Sequence, residues 1–307
     1  MQKSPVLVIG SSNTDMVVKT PHLPAPGETI LGGTFFMNAG GKGANQAVAA
    51  VRLGGDITFI AKLGDDIFGK QALQLFKDEG IDTSSIIVDA QHPSGVALIT
   101  VDDKGENCIA VASGANAQLL PNDIDGAKEK IISAPIVLMQ LEVPVETVAW
   151  ASELAYQNGS IVILNPAPAC ELPAELFKHI SIITPNETEA EMLSGVKVID
   201  VESAKRAANV IRNKGVKTVI VTLGSKGALV IGEGIEELVA APVVTAVDTT
   251  AAGDVFNGAL AVALSEGLDI ITAVGFACKA AAISVTRLGA QASAPSRSEM
   301  PPSPKGV

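Results

Sequence analysis

Short apolar runs, each ending at a glycine or a polar residue, recur along the chain. PVLVIG at 5–10 is the first. A run of this length bounded by turn residues reads as a strand buried on both faces. IVLMQLE at 136–142, IVILNPAP at 161–168, ISIITPNE at 180–187 and TVIVTLGSKGA at 218–228 repeat the pattern. Helical segments lie between them, VETVAWASELAYQNG at 145–159 and SAKRAANVIRNKG at 203–215, each stopped by a glycine. Strand and helix in alternation predict a parallel sheet with right-handed crossovers. Four further segments stand outside this alternation: TDMVVKT at 14–20, ETILGGTFFM at 28–37 beyond a Pro-rich turn, and GVALITV at 95–101 paired with NCIAVAS at 107–113 around DDKG. They read as a small β lid built from about 14–38 and 95–113. NCIAVAS lacks strict alternation, so both of its faces are expected to be covered. The predicted fold class is α/β: a three-layer sandwich with a central mostly parallel sheet flanked by helices, plus the lid. It forms one domain over 1–295. The last residues, 296–307, fall in a Pro- and Ser-rich stretch and are expected to be a disordered tail.

Composition narrows the class. Hydrophobic residues make up 47% of the 307 and aromatics only 3%, so the core must be aliphatic, which suits a sheet buried on both faces. The net charge of −11 argues against a nucleic-acid surface, which needs basic patches. Cys108, Cys170 and Cys278 are far apart, with no spacing for zinc or a disulfide framework, and a reducing cytoplasmic compartment is expected. MQKSPVLVIG has too short an apolar run for a signal peptide, and no uncharged stretch reaches the ~18 residues of a membrane span.

The most informative segment is DTTAAGDVFNG at 248–258. Two alanines and a glycine lead into Asp254 and then into an Ala/Leu/Val-rich helix. Free backbone amides and the positive end of a helix make such a turn an anion site. Asp254 can cap the helix, or it can take a proton from a hydroxyl that attacks a bound phosphoryl group. A second glycine turn, GGKGAN at 40–45, brings Lys42 and Asn45 beside closely approaching backbone before another alanine-rich helix. Two apparent motifs fail. GDDIFGKQ at 64–71 has the P-loop spacing but places Gln71 where Ser or Thr is needed, and two aspartates within the loop. GKGANQ at 41–46 starts like a dinucleotide fingerprint but has Gln46 at the third small position.

GSSNTD at 10–15, PGET at 26–29, GGKGAN, MQLE at 139–142, NPAPA at 165–169, TPNETEAE at 184–191, TLGSKG at 222–227, DTTAAGD and TRLGAQ at 286–291 together resemble the ribokinase-like family of carbohydrate and nucleoside kinases. They come in the family's order and span nearly the whole chain. The resemblance implies transfer of the γ-phosphoryl group of ATP to O5 of D-ribose, with Asp254 as general base and the amides of Ala251, Ala252 and Gly253 as anion hole. Asn13, Asp15, Gly41, Lys42, Asn45 and Glu142 match the family's sugar contacts. Carboxylates would accept from the hydroxyls, and Lys and Asn amides would donate to them. Asn186, Thr222, Leu223, Gly224, Ser225, Lys226, Gly227, Gly253 and Cys278 match its ATP-binding positions. Asn186 and Glu189 match an element linked to Mg²⁺, expected to act through water. TPNETEAE is also a sound helix start, and both roles can hold. Asp248, Thr250, Ser284, Arg287, Gly289 and Ser293 match a K⁺ site beside the anion hole. Thr250 replaces the usual Ile or Val, and Cys278 stands where close members carry His near the adenine. The family also implies a homodimer paired through its lids. Another acceptor sugar or a nucleoside is the alternative. A silent binding regulator is disfavoured, because the base and the glycine of the hole are both present.

Overall fold

The computed structural model describes residues 4–300. The chain starts with β1 (Val6–Ile9), β2 (Asn13–Lys19) and β3 (Thr34–Gly40), and α1 (Lys42–Arg52) leads to β4 (Ile57–Ile60). Then come β5 (Lys62–Gly64), α2 (Ile67–Asp78), β6 (Ile87–Asp89), β7 (Gly95–Val101) and β8 (Asn107–Ala112). Two short helices, α3 (Pro121–Ile124) and α4 (Lys128–Ser133), precede β9 (Ile136–Met139), α5 (Val145–Gln157), β10 (Ile161–Leu164) and β11 (Ile182–Ile183). Helices α6 (Glu187–Ser194) and α7 (Val201–Asn213) are followed by β12 (Thr218–Thr222), β13 (Ala228–Gly232) and β14 (Ile235–Val239). Two long helices, α8 (Ala252–Ser265) and α9 (Ile270–Ser284), complete the framework.

The apolar runs make an eight-stranded sheet in the order β14-β13-β12-β11-β10-β9-β1-β4. Neighbours from β4 to β12 are parallel, and β13 and β14 close one edge as antiparallel strands. Because side chains alternate along a strand, β1 sends Val6 and Val8 into one core and Leu7 and Ile9 into the other. The first core is closed by α1, α2, α8 and α9, the second by α5, α6 and α7. The three layers predicted from the apolar runs are therefore present. No helix among the described residues is long and apolar enough to cross a membrane.

Winding reverses at β1, which has β4 on one side and β9 on the other. A crevice opens at the carboxyl ends of strands at such a point. Ser11, Gln140, Glu142, Asn165, Thr184 and Thr222 all lie at or just past the ends of β1, β9, β10, β11 and β12.

The lid is a separate four-stranded sheet, β3-β2-β7-β8, joined around the Asp102–Gly105 turn as expected. Three expectations change. Residues 28–33 are not strand, and Gly27 and Gly32, both at positive φ, take the chain out of extended geometry before β3 begins at Thr34. β8 was expected to be covered on both faces, but every one of its residues is exposed. The tail was expected to be disordered from 296, but Arg297–Glu299 form a 3-10 turn. Arg297 pairs with Glu266, Arg287 pairs with Glu299, and Met300 is buried. The charged pairs and one apolar anchor outweigh the Pro/Ser composition there. Residues 301–307 lie outside the described residues.

Helices α1 and α8 meet closely because Gly258 has no side chain. A Cβ there would lie 2.6 Å from the Gln46 carbonyl oxygen and 3.0 Å from the Ala49 Cβ. Gly258→Ala should therefore destabilise the protein by about 1–3 kcal/mol through overpacking, although alanine is the better helix former. The urea midpoint at constant m-value measures this, and a midpoint at or above the parent value would refute the close-contact argument.

Candidate active site

The turn before α8 is held from both ends. Asp248 Oδ1 accepts from the Thr250 amide (2.9 Å) and Oδ2 from the Gly289 amide (2.8 Å), while the amides of Val247 and Asp248 both donate to the Val285 carbonyl. Held this way, Ala251 adopts φ 58°, the one non-glycine residue at positive φ among the described residues. That conformation costs an L-residue roughly 1–2 kcal/mol, and such strain concentrates at working sites. The first regular helical bond comes from Val255 to the Ala251 carbonyl, and Ala252 donates only a long 3.3 Å bond to Thr249. The amides of Gly253 and Asp254 are left without an acceptor at the positive end of α8. The Ala251 amide has no acceptor either, so two of the three expected donors, Ala251 and Gly253, are free and the Asp254 amide joins them. An added Cβ at Gly253 would meet nothing within 4 Å, so packing does not require this glycine.

Asp254, in the first turn of α8, is only 5% exposed. Asn45 Nδ2 donates to its Oδ2 (2.9 Å) and Gln46 Nε2 to its Oδ1 (3.0 Å). It does not cap its own helix. Burial raises its pKa above the usual carboxylate range, while the Lys42 charge and the two amide donors oppose that shift. Burial works against the Lys42 ammonium, yet Asp254, Glu142 and Glu189 hold its pKa above the ordinary lysine value. A buried carboxylate next to a retained cation is suited to accept a proton at neutral pH.

The expected sugar contacts gather on the lid side of Asp254. Gly41, at φ 88°, leaves only 2.6 Å between an added Cβ and the Asn13 amide. Glu142 Oε2 accepts from the Ser11 hydroxyl (2.5 Å) and from the Lys42 backbone amide (2.9 Å). Asn13 Oδ1 accepts from Asn116 Nδ2 (2.8 Å). The Asp15 carboxylate lies over Gly40, where an added Cβ would come within 2.3 Å of it. Its pKa is pushed up to about 6 by burial and by the charges of Glu142 and Asp254. Asn45 is shared with the catalytic carboxylate candidate. One N–H of its NH₂ is used on Asp254, which leaves one for a further acceptor, and its Oδ1 is buried without a partner.

Two cavities meet at the start of α8, sharing Ala252 and Gly253, and the smaller one reaches Asp254. The smaller, about 180 Å³, is lined by Lys42, Asn186, Glu189, Gly253, Asp254 and Asn257 among others. The larger, about 740 Å³, runs past Thr222, Gly224, Ser225 and Gly227 to Cys278. Leu223 is buried behind this loop and Lys226 is exposed, and neither lines the cleft. Its apolar wall comes from 241–246, Phe256, Ala281 and Val285. Sequence reading passed over that wall because PVV and an Ala-rich helix look like any core segment. Burial raises the Cys278 thiol to about 11, so it packs as a neutral apolar group.

Asn186 and Glu189 form a reciprocal cap on α6. Asn186 Oδ1 accepts from the Glu189 amide (2.8 Å), and the Asn186 amide donates to Glu189 Oε2 (2.9 Å). Both also line the small cavity, so the structural and the ligand-facing role coincide. The segments expected to hold K⁺ are brought together by the bonds of Asp248 to Gly289 and of 247–248 to Val285. Ser284 and Ser293 are buried with hydroxyls bonded to the Ala281 and Ala290 carbonyls, and Arg287 is paired with Glu299. Carboxylate, hydroxyl and carbonyl oxygens at this junction are the hard donors such an ion takes.

The chain matches the pfkB family carbohydrate kinases over residues 3–297, and it belongs to that family. It is 47% identical over 292 residues to the ribokinase of Haemophilus influenzae, covering 95% of each chain. It is 40% identical to a deoxyribokinase of Salmonella typhi, again covering 95% of each. Among solved structures, that of Arabidopsis thaliana ribokinase complexed with ribose and ATP superposes with a TM-score of 0.91 at 34% identity, covering 97% of each chain.

The raised pKa of Asp15 has a consequence for stability. The folded state holds this proton more tightly than the unfolded chain, so stability is lost as pH rises from 3.8 through about 6. In the absence of ligand, Asp15→Asn should melt about 2–4 °C above the parent at pH 8, with the gap vanishing near pH 4. A gap that does not depend on pH would contradict the shift.

Proposed function

We propose that this protein transfers the γ-phosphoryl group of ATP to O5 of D-ribose, giving D-ribose 5-phosphate. The observation that carries the reading is Asp254, buried and held by Asn45 and Gln46. Free amides sit beside it, the sugar-side polar groups gather around it, and the 740 Å³ cleft runs up to Gly253, the residue before it. The similar proteins named as ribokinases support ribose as acceptor.

In this reading the nucleotide lies along 222–227, with its base against the apolar wall and Cys278 and its terminal phosphate entering the small cavity. Asp15 and Glu142 accept hydrogen bonds from sugar hydroxyls, and Lys42 and the second N–H of Asn45 donate to them. Asp254 takes the proton of the primary hydroxyl as its oxygen attacks phosphorus in line and the bond to the ADP oxygen breaks. The Gly253 and Asp254 amides and Lys42 stabilise charge on the transferring group in a site shielded from water. Asn186 and Glu189 would hold Mg²⁺ through water, and the ion would supply neutralisation of phosphate charge. The oxygens of 248–250 and 284–293 would hold K⁺, which would stiffen the strained turn at Ala251. The lid supports homodimer formation. Phe35, Met37 and Leu98 are exposed on one face, and Ile109 and Val111 of the uncovered edge strand β8 on the other. Three free cysteines accord with a cytoplasmic setting. Deoxyribose is the second reading, favoured by the 40% identity to a deoxyribokinase.

A coupled ADP-release assay over ribose, deoxyribose, fructose and nucleosides should give D-ribose the highest kcat/KM. A competitor ahead by about tenfold would reassign the acceptor. In the same assay Asp254→Asn should lower kcat by ~10²–10⁴-fold while ATP still binds. Weakened binding at unchanged kcat would remove the base assignment.

Dialysed enzyme should be activated by K⁺ more than by Na⁺ as either ion is titrated in, and Asp248→Ala should abolish the response. A flat titration of the parent would dismiss the ion site.

A further inference from the structure

Behind Asp254 lies a chain of buried amides that phosphoryl transfer itself does not consume. Gln46 is fully buried and uses every polar atom of its side chain. Nε2 donates to Asp254 Oδ1 (3.0 Å) and to Asn165 Oδ1 (3.0 Å), and Oε1 accepts from Gln140 Nε2 (2.6 Å). Asn165 is turned in its place by a 3.4 Å bond from Nδ2 to the Thr184 carbonyl. The polarity of the series allows one arrangement. Flipping the Gln46 amide would set its carbonyl oxygen against a carboxylate and against the Asn165 oxygen, and would set its NH₂ against the NH₂ of Gln140. Gln140 is packed onto backbone, since an added Cβ at Gly10 would lie 2.0 Å from its Oε1, and that oxygen has no hydrogen-bond partner. An unpaired buried oxygen is a standing cost that an apolar residue would not carry.

We propose that Gln46, oriented by Gln140, is a positioning residue that fixes the Asp254 carboxylate for accepting the proton of the sugar hydroxyl. The inference rests on Asp254 being the base. Asn45 alone would hold one oxygen and leave the carboxylate free to turn about Cβ–Cγ, and the Gln46 bond to the second oxygen removes that freedom. It also ties the base to the ends of β9, β10 and β11, so the turn, the helix α1 and the sheet set one geometry. The same donor favours the ionised carboxylate, along with Lys42 of α1 and against Asp15 of β2, Glu142 beyond β9 and Glu189 of α6.

Methionine has nearly the length of glutamine and no donor, so Gln46→Met and Gln140→Met test the series with little change of volume. At saturating ribose and Mg·ATP, Gln46→Met should lower kcat by about 10- to 100-fold, as a misplaced reacting group does. KM for both substrates should stay within about threefold. The acid limb of kcat should move to higher pH, and Gln140→Met should shift kcat and limb the same way by less. Asp15→Asn assayed alongside separates any contribution of that carboxyl to the limb. Gln140→Met carries the test alone if Gln46→Met does not fold. The proposal is overturned if kcat stays within about twofold of the parent, or if kcat falls only with the denaturation midpoint while the acid limb stays put. Full turnover by Asp254→Asn would instead remove the base assignment on which this rests.

Discussion

A carboxylate removed from water must be paired and fully hydrogen-bonded, and in this protein that requirement falls on Asp254. Meeting it brings distant parts of the chain together. Asn45 and Gln46 have to reach the same carboxyl group from consecutive positions of α1, so α1 and α8 must pack at backbone distance. Gly258 permits this, at 2.6 Å between its missing Cβ and the Gln46 carbonyl oxygen. Lys42 has to stay charged nearby despite its own burial, and it does so because three carboxylates surround it. The strained turn at Ala251 then follows, as the path that delivers Asp254 to this place while leaving the Ala251, Gly253 and Asp254 amides free.

The sheet supplies what two helices alone could not. Winding reverses at β1, so the ends of β1, β9, β10, β11 and β12 converge on one crevice, and each contributes a polar residue past its apolar run. Those residues divide the work. Ser11 and Asn116 steady Glu142 and Asn13, while Gln140, Asn165 and Thr184 steady Gln46. A chain of net charge −11 that takes an anionic nucleotide must gain its attraction locally. The smaller cavity has one lysine among its described lining residues, with backbone amides beside it, and the larger cleft is mostly apolar. Affinity for the nucleotide is thus concentrated at its phosphates and at its base, with little help from the overall field.

The lid follows a different physics. Its strands alternate, but a four-stranded sheet without helices has two faces to cover and two edges to protect. One face meets the main domain through Val17 and Ala97, while Phe35, Met37 and Leu98 stay exposed on the other, and β8 is exposed on both. Its contribution to the centre is small in area and chemically direct, because β2 carries Asn13 and Asp15.

Much was legible in the chain itself. Apolar runs of four or five residues with polar ends determine a sheet buried on both faces. Glycine turns before alanine-rich helices determine where backbone amides are free, and the motifs placed Asp254, Lys42, Glu142, Asn186 and Glu189 in one centre. These are local properties of composition and turn chemistry, and a sequence displays them directly. The tertiary structure decided what depends on who faces whom. Gln46 looked like a flaw in a dinucleotide fingerprint, and the fold bonds it to the Asp254 carboxylate. Asn45 was expected to donate to substrate, and the fold also sets one of its two N–H groups on Asp254. The apolar wall at 241–246 is indistinguishable from core until a cleft opens against it, and residues 296–300 are ordered only because Glu266 and Arg287 lie within reach. Hydrogen-bond direction and long-range pairing have no period along a chain, so only the folded arrangement determines them.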